Sequence, residues 1–184
     1  ANINDDGQIE AVFSGETQIV FKDEGIIKTA YNIKVMAKPN SIELSGPSSI
    51  YNNEEADFTH RVRPANSYDL VEYIIEDEEI LKVTNGKFVP VGIGTTTVTV
   101  KSLQSDDIFD SIEITVNEVI VVSKNETKLK LGSWEYNLNV DLFENIEDAV
   151  EKANPSTKIL ILEGTYDESL NINKDVVIEG KGGV

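Results

Sequence analysis

The sequence has 184 residues, of which 40% are hydrophobic and 27% are charged, and its formal net charge is −17. This composition is typical of one or two globular domains with buried cores, and such an acidic chain repels phosphate backbones, which argues against nucleic-acid binding. The lack of cysteine excludes disulfides and thiol chemistry, a single histidine excludes a multi-histidine metal site, and no run of about 18 apolar residues predicts membrane insertion.

The first two thirds of the chain contain the same strand pattern twice. Residues 7–22 (GQIEAVFSGETQIVFK) match residues 86–101 (GKFVPVGIGTTTVTVK) at a constant offset of 79, and the next strand recurs at an offset of 81. The matched pairs are Gly7 and Gly86, Ile9 and Phe88, Val12 and Val91, Gly15 and Gly94, Ile19 and Val98, Tyr31 and Ile112, Ile33 and Ile114, and Val35 and Val116. Self-similarity at a fixed spacing predicts two copies of one strand arrangement.

Each copy has the alternation of an antiparallel sheet with one buried face. Thr96, Val98 and Val100 alternate with polar residues, which is the period of a half-buried strand. Asn85-Gly86 predicts a tight turn between two strands, and Pro64 ends an earlier strand because proline cannot donate to a sheet. These patterns favour a β-sandwich.

The segment at residues 71–102, VEYIIEDEEILKVTNGKFVPVGIGTTTVTVKS, resembles a group 2 bacterial immunoglobulin-like domain. The shared features are an aromatic residue, a polar acidic turn, a Gly-initiated strand and a Gly-x-Gly bend before a Thr/Val strand. Tyr73 stands where that family usually has tryptophan. The resemblance covers residues 39–117, and residues 1–37 as the last strands of a preceding copy. It implies a spacer or adhesive module of bacterial surface proteins that carries no catalytic residues.

The pattern changes after Glu118. Residues 119–123 (VIVVS) predict a strand, and residues 143–153 place apolar side chains at helical spacing up to Asn154-Pro155, which ends a helix. The run ILIL at 159–162 predicts a fully buried strand. Two further strands are expected near residues 170–173 and 176–179.

The order of helix, strand and Gly164-Thr165-Tyr166 resembles the opening of a pectate-lyase-like right-handed parallel β-helix. In that family a helix covers the open end, which otherwise exposes unpaired strand edges. The expected fold class is therefore mostly β, an immunoglobulin-like β-sandwich plus a truncated parallel β-helix start with one capping α-helix. The expected domains are residues 1–37, the last strands of a preceding immunoglobulin-like domain; 38–118, a bacterial immunoglobulin-like domain; and 119–184, the N-terminal cap and first coils of the β-helix.

The residues that could take part in catalysis or ligand binding form no recognisable catalytic set in the sequence. Asp167 and Glu168 are adjacent, so on a strand they would face opposite sides, and we interpret them as turn residues. His60 lies on an apolar strand face and is interpreted as a hydrogen-bonded structural histidine, with no acid partner evident from spacing. Trp134 and Tyr136 form either a sugar-stacking platform or a structural anchor beside the capping helix, and the anchor is favoured.

Two acidic segments, at residues 76–79 and 106–110, are either solvated surface or calcium ligands. Neither has the regular D-x-D-x-D-G spacing of a calcium loop, so the sequence assigns no catalytic, cofactor-binding or metal-binding residue.

Two functions follow from the resemblances. The first is a non-catalytic module of a bacterial cell-surface or secreted protein, a spacer or adhesive stalk that displays a β-helix domain to a host or matrix protein or a glycan. The alternative is an accessory N-terminal region of a β-helix polysaccharide lyase or glycoside hydrolase whose active site lies beyond this chain. The residues after Val184 in the full-length gene distinguish the two.

The two ends of the sequence lead to one further expectation. Residues 7–36 carry an apolar strand face without the strands that oppose it, and residues 180–184 follow an open coil. Burying a large apolar side chain is worth roughly 1.5–3 kcal/mol, so we expect at least one of these surfaces to be covered by self-association with another chain. The alternative is cover within the chain, with residues 7–36 folded back on the middle sandwich or on the C-terminal segment.

Overall fold

The computed structural model describes residues 2–182, so Ala1, Gly183 and Val184 lie outside the described residues. About half of the described chain is in β-strands and one short α-helix is present, which confirms the expectation of a mostly β fold. The elements, in chain order, are β1 (Asn2–Ile3), β2 (Ile9–Glu10), β3 (Gly15–Asp23), β4 (Ile26–Val35), β5 (Ser41–Ser45), β6 (Ser49–Tyr51), β7 (Thr59–Arg63), β8 (Val71–Ile75), β9 (Leu81–Thr84), β10 (Lys87–Pro90), β11 (Gly94–Ser102), β12 (Phe109–Asn117), β13 (Val119–Val122), β14 (Lys128–Leu131), β15 (Trp134–Asn137), β16 (Leu142–Phe143), α1 (Ile146–Lys152), β17 (Lys158–Ile161) and β18 (Val177–Gly180).

The chain divides into two compact units. Unit 1 contains the residues as far as Leu44, His60–Ile74 and Thr99–Asp110. Unit 2 contains Ser45–Thr59, Ile75–Val98 and the residues from Ser111 onwards. Strands β11 and β12 have residues in both units and belong to a four-stranded sheet of order β6-β12-β11-β8.

Unit 1 begins with two antiparallel hairpins. In the longer hairpin, β3 pairs with β4 so that Ile19 lies opposite Tyr31, and the register shifts after Phe21. Its turn holds Glu24 and Gly25 at φ values of 47° and 78°. Two successive residues with positive φ are what a tight hairpin turn requires, because this twist matches that of the flanking strands.

Further along unit 1, two contacts join the residues beside this hairpin to the loop after β7. Ala37 forms a parallel bridge with Ser67, and the side-chain amide of Asn66 donates a 3.0 Å hydrogen bond to the Ser14 hydroxyl. Strands β5 and β7 pair with each other, and the Leu44 backbone N–H donates to an Asp110 carboxylate oxygen at 2.8 Å.

In unit 2, β9 and β10 form a hairpin around the predicted Asn85-Gly86 turn. Both turn residues have positive φ, 53° and 78°, and the strands pair from Thr84 and Lys87 outwards. The turn prediction is confirmed. The Phe88 ring packs edge-on against the Phe58 ring with centroids 4.6 Å apart.

Matched positions of the two sequence copies have the same backbone conformation. Gly7 and Gly86 have φ values of 76° and 78°, and Gly15 and Gly94 have φ values of 144° and 147°. A φ near +145° is accessible to glycine but strained for other residues. The same backbone conformation therefore explains why both β3 and β11 begin with glycine. Strands β3 and β11 each have 9 residues.

The last part of unit 2 is a parallel sheet of order β16-β13-β17-β18. Alternate residues of β13 pack into two different hydrophobic clusters, one on each face of the sheet. Ile120 and Val122 pack with the buried face of α1, whereas Val119 and Val121 pack with Tyr136 on the hairpin formed by β14 and β15. The sheet is therefore covered by the helix on one face and by a hairpin on the other. Because both faces of β13 are buried, all four of its residues are apolar.

Two predicted boundaries in this part were wrong. The helix begins at Ile146 rather than at residue 143, because Phe143 pairs with Val122 as part of β16. Residues 170–173 form no strand; instead they belong to the irregular segment between β17 and β18, where the contacts described next hold α1 in place.

That segment holds both ends of α1. The Glu168 carboxylate accepts the free N–H groups of Ile146 at 2.9 Å and Glu147 at 3.1 Å, since Asn145 at the N-cap makes no side-chain cap. At the other end, the Lys174 ammonium donates to the carbonyl of Ala153 at 2.9 Å and to that of Glu151. These charges complement the helix dipole. Among residues 2–182, no helix is both long enough and apolar enough to cross a membrane.

Candidate functional site

The passage from β12 into the parallel sheet is held by several hydrogen bonds. Glu118 is the single residue between β12 and β13. Its carbonyl accepts the backbone N–H of Lys158 at 3.0 Å, and its carboxylate accepts the Thr157 hydroxyl at 2.9 Å and the Asn154 amide at 3.5 Å. We call this passage, with the residues around Asn52 that pack on it, the junction. No free linker separates the two groups of strands.

Asn52, just after β6, is the centre of the junction. Its side chain is 1% exposed, and its carbonyl oxygen accepts the Val119 backbone N–H at 3.2 Å and the Tyr136 hydroxyl at 3.1 Å. The Asn52 backbone N–H donates to the carbonyl of Asn117 at 2.9 Å. One amide therefore satisfies two donors that would otherwise be buried without partners.

Tyr136 is fully buried, and its electrostatics suit the role of a hydrogen-bond donor. Burial raises the pKa of its phenol above the ordinary value, and the negative charge of Asp141 raises it further, although the hydrogen bond with Asn52 lowers it in part. The phenol stays neutral and can donate to Asn52 at every ordinary pH.

Two further contacts fix the junction. The Lys158 ammonium lies 3.9 Å from the centre of the Tyr51 ring, a cation–π contact. Gly132, at a φ of 59°, lies so close to β6 that a Cβ placed there would be 2.3 Å from the Asn53 carbonyl oxygen. Only glycine permits this approach.

The sequence predicted Trp134 and Tyr136 as a structural anchor rather than a sugar platform. Tyr136 is 0% exposed, so it presents no ring to a ligand. Trp134 is half-buried, and its indole N–H donates to Asp141 at 2.9 Å. The expected position beside the helix was wrong, because both residues pack with the other face of the sheet.

The single histidine lies in unit 1, between a tyrosine and an acid. His60 Nδ1 is 2.8 Å from the Tyr73 hydroxyl, and Nε2 is 2.7 Å from an Asp69 carboxylate oxygen. Burial raises the pKa of Tyr73, and the negative charge of Asp69 raises it further. The spacing of residues along the sequence did not identify Asp69, which supplies the second hydrogen bond of a histidine held in place by two neighbours.

Carboxylates of the two acidic segments bind residues that lie nearby in the sequence. Asp77 accepts the backbone N–H of Glu79 at 2.9 Å, which is a turn contact, and Asp106 pairs with Lys101 at 2.7 Å. Its hydrogen bond with Lys101 lowers the pKa of Asp106. Among residues 2–182, no group of three or more His, Asp or Glu side chains is placed to hold a metal ion.

Asp167 and Glu168 lie outside the strands, but Glu168 is more than a turn residue because it caps α1. Its other oxygen lies 3.7 Å from the Lys124 ammonium, which also lies above the Tyr166 ring. The Tyr166 hydroxyl donates to the Leu162 carbonyl at 3.0 Å. The Gly164-Thr165-Tyr166 motif therefore closes the turn after β17.

Comparison with known proteins gives little to add. No protein-family model matches the chain, and no curated protein matches it. Among solved structures, the chain is similar to an intimin mutant of EHEC O157:H7, with a TM-score of 0.34 and 12% identity over 42% of this chain and 47% of that one. The chain thus aligns with less than half the length of that structure.

Proposed function

We propose that the chain is a non-catalytic module of a bacterial cell-surface or secreted protein. In this proposal residues 1–37 and 38–118 are immunoglobulin-like segments of a rigid spacer or adhesive stalk, and residues 119–184 are the cap and first coils of a β-helix that the stalk displays. The observation that carries it is the junction, in which Asn52 binds both Val119 and Tyr136 in a buried position.

The proposal follows from what such a junction does mechanically. A spacer presents a distal domain in a fixed direction only if the connection resists bending. Bending here would separate the Asn52 amide from two buried donors, each of which costs about 1–3 kcal/mol when left without a partner. A connection with an exposed Gly/Ser-rich linker would carry no such cost.

The matched turns of the two copies support the same interpretation. Ser14, in the turn before β3, accepts a hydrogen bond from Asn66. At the matched position of the second copy, Ile93 lines a cleft together with residues 154–157. In each copy the turn at this position lies close to a segment that follows it in the chain.

The matched ends of the two copies behave alike as well. Ala37, after β4, forms a bridge with Ser67. Glu118, the position matched to Ala37 at an offset of 81, binds Thr157. Repeated use of one end of the module for docking is the behaviour expected of segments stacked in series, and the acidic composition suits a surface exposed to solvent.

Residual dipolar couplings measured by NMR on the 184-residue chain test the proposal. We expect one alignment tensor to fit both the strands before Glu118 and those after it. Insertion of Gly-Ser-Gly-Ser between Glu118 and Val119 should give two independent tensors, whereas the same insertion after Ser105, in an exposed loop, should leave one. Two independent tensors in the unmodified chain would contradict a rigid spacer.

An activity assay separates this proposal from the lyase or hydrolase alternative. We expect no turnover of polygalacturonate or related glycans, because the described carboxylates act as caps and turn contacts rather than as a converging acid and base. Saturable turnover that disappears in a point variant would favour the enzyme. Binding of the chain to immobilised host matrix proteins or glycans, without turnover, would favour the adhesive role.

A further inference from the structure

Three side chains of complementary chemistry meet near the start of α1. Lys124 follows β13, Asn145 is the N-cap residue of α1, and Glu168 lies in the irregular segment between β17 and β18. The Lys124 ammonium donates to the side-chain carbonyl oxygen of Asn145 at 2.9 Å. The same ammonium lies 3.7 Å from Glu168 Oε1. An amine, an amide carbon and a carboxylate therefore come together at one place in the fold.

This site is partly sheltered from water. The side chain of Glu168 is 15% exposed and that of Lys124 is 33% exposed. The Tyr166 ring lies 5.1 Å from the ammonium, and its hydroxyl is held by the Leu162 carbonyl at 3.0 Å. An amine attacks only in its neutral form, and a lysine reaches that form by giving a proton to a neighbouring carboxylate. Shelter from water favours such a neutral pair over two separate charges.

The two oxygens of Glu168 have different surroundings. Oε2 accepts the backbone N–H groups of Ile146 and Glu147, which fixes the carboxylate in place. Oε1 is buried and has no hydrogen-bond partner among the described residues. A buried polar atom without a partner is uncommon and calls for an explanation. This oxygen faces an ammonium just beyond hydrogen-bond distance, so it is placed to accept a proton from Lys124.

The amide of Asn145 is held through both of its polar atoms. Oδ1 accepts from Lys124, and Nδ2 donates to Asp148 Oδ2 at 3.1 Å. A reactive arrangement needs the nucleophile about 3–3.5 Å from the carbon that it attacks. Because Lys124 Nζ lies 2.9 Å from the oxygen bonded to that carbon, a small rotation of the lysine side chain brings it into position.

We propose that Lys124 and Asn145 form an intramolecular amide bond, with Glu168 as the catalytic base. The bond between Lys124 Nζ and Asn145 Cγ forms, and the bond between Cγ and Nδ2 breaks. Lys124 loses two protons, which Glu168 accepts in turn and gives up again, and the leaving nitrogen departs with them as ammonium. No atom is oxidised or reduced, and no co-reactant is consumed. The reaction takes place once in each chain, so it involves no turnover of a substrate.

Such a bond closes the loop that carries the hairpin of β14 and β15. It joins the residues after β13 to the start of α1, and the enclosed hairpin contains Tyr136 of the junction. A covalent bond across a loop restricts the unfolded chain and so stabilises the folded one. The inference goes beyond the proposed function and does not depend on it, because the chemistry needs only the three side chains.

A second lysine of the chain shows why the amide and the shelter matter. Lys87 donates to the two carboxylate oxygens of Asp57 at 2.7 Å and 2.8 Å. These side chains are 47% and 70% exposed. A solvated carboxylate is a poor target for an amine because it is already negatively charged. Lys87 and Asp57 therefore form an ion pair and provide the matched control.

The intact mass of the purified 184-residue chain tests the proposal. We expect a mass lower than that of the sequence by one ammonia, and a peptide map in which the fragments with Lys124 and Asn145 remain joined. The Asn85-Gly86 turn could lose ammonia as well, by forming a cyclic imide. Mild base opens an imide and leaves an amide intact, so the mass after this treatment separates the two reactions.

Three variants identify the reacting groups. Lys124→Arg keeps the positive charge but has no neutral nucleophile, and should show the full mass. Glu168→Gln keeps an oxygen for the N–H groups of α1 and should slow bond formation by about a hundredfold or more, followed by mass after cell-free synthesis. Lys87→Arg, the control, should form the bond like the unmodified chain. Should circular dichroism show that Glu168→Gln is unfolded, Asn145→Ala replaces it and should show the full mass.

Three results would overturn the inference. The first is the full mass in the folded, unmodified chain after prolonged incubation. The second is a loss of ammonia that maps to Asn85 alone. The third is an unchanged rate of bond formation in the folded Glu168→Gln variant, because the carboxylate would then take no part in the reaction.

Discussion

Hairpin β3–β4 and strands β11–β12 differ in burial far more than in sequence pattern. Both begin with a glycine at a φ near +145° and both place apolar residues on one face. Yet Val100 is 0% exposed where the matched Phe21 is 52% exposed. A period-two pattern thus specifies a strand and its apolar face, whereas burial depends on the elements that pack against that face.

The ends of the two copies repeat the contrast at a smaller scale. Ser14 and Asn66 meet through an exposed hydrogen bond. The contacts of Asn52 with Val119 and Tyr136 are buried. The contact is exposed in the first case and buried in the second. Breaking the buried contacts of Asn52 should therefore cost more free energy than breaking the exposed one.

The largest expected effect comes from one isoleucine substitution made in both copies. Ile114→Ala removes a fully buried side chain and should lower the free energy of unfolding by about 2–5 kcal/mol. Ile33→Ala, the matched change in the half-buried position, should cost less than Ile114→Ala, because part of the lost surface already contacts water. Hydrogen exchange of the two strands under native conditions measures both. Equal costs would show that Ile33 is as deeply buried in solution as Ile114.

The second effect compares the two docking ends. Asn52→Ala leaves the Tyr136 hydroxyl and the Val119 N–H without an acceptor and should cost about 2–4 kcal/mol. Asn66→Ala removes one exposed hydrogen bond and should cost less than about 1 kcal/mol. Fluorescence of Trp134, the single tryptophan, follows urea unfolding of the parallel sheet region in both variants. A smaller loss for Asn52→Ala than for Asn66→Ala would contradict the importance of the junction.

Local features of the second copy were predictable from the sequence because short-range chemistry determines them. The Asn85-Gly86 turn and the inward side chains of β11 follow from turn geometry and alternation over a few residues. The helix was predicted to begin three residues too early because apolar spacing alone does not show that Phe143 pairs with β13. Strand pairing overrides the helical pattern there.

The contacts of the candidate site could not be predicted, since they join residues far apart in sequence. Asn52 and Tyr136 are separated by 84 positions, and Glu168 caps a helix that begins 22 residues earlier. Asp69 lies nine residues from His60, a spacing with no meaning until β7 and the following loop are folded. Nothing in the local pattern distinguishes Asn52 from other turn asparagines.

The third effect tests the shared backbone conformation. Gly15→Ala and Gly94→Ala both place a Cβ on a residue at a φ near +145°, a strain of roughly 1–3 kcal/mol. At Gly94 the new Cβ would also lie 3.0 Å from Ile80 Cδ1, whereas at Gly15 it would meet nothing within 4 Å. We expect both variants to lower the melting temperature and Gly94→Ala to lower it more. A neutral Gly15→Ala variant would show that the two copies do not share this geometry in solution.

The smallest effect separates a buried tyrosine from an exposed one by pH. The pKa of Tyr136 is raised above 10.0 in the folded chain, so its contribution to stability is complete below about pH 10 and is lost as the pH rises further, because the unfolded chain releases its proton first. The slope expected from this group is about 1.4 kcal/mol per pH unit. Tyr136→Phe should cost about 1 kcal/mol at neutral pH, through the lost hydrogen bond to Asn52, and should flatten the decline above pH 10. Tyr31→Phe, at a position 60% exposed, serves as the control for removal of a tyrosine hydroxyl. Urea unfolding between pH 8 and pH 11.5, followed by Trp134 fluorescence, measures both variants, and an equally steep decline in Tyr136→Phe and the unmodified chain would show that the phenol is not buried in solution.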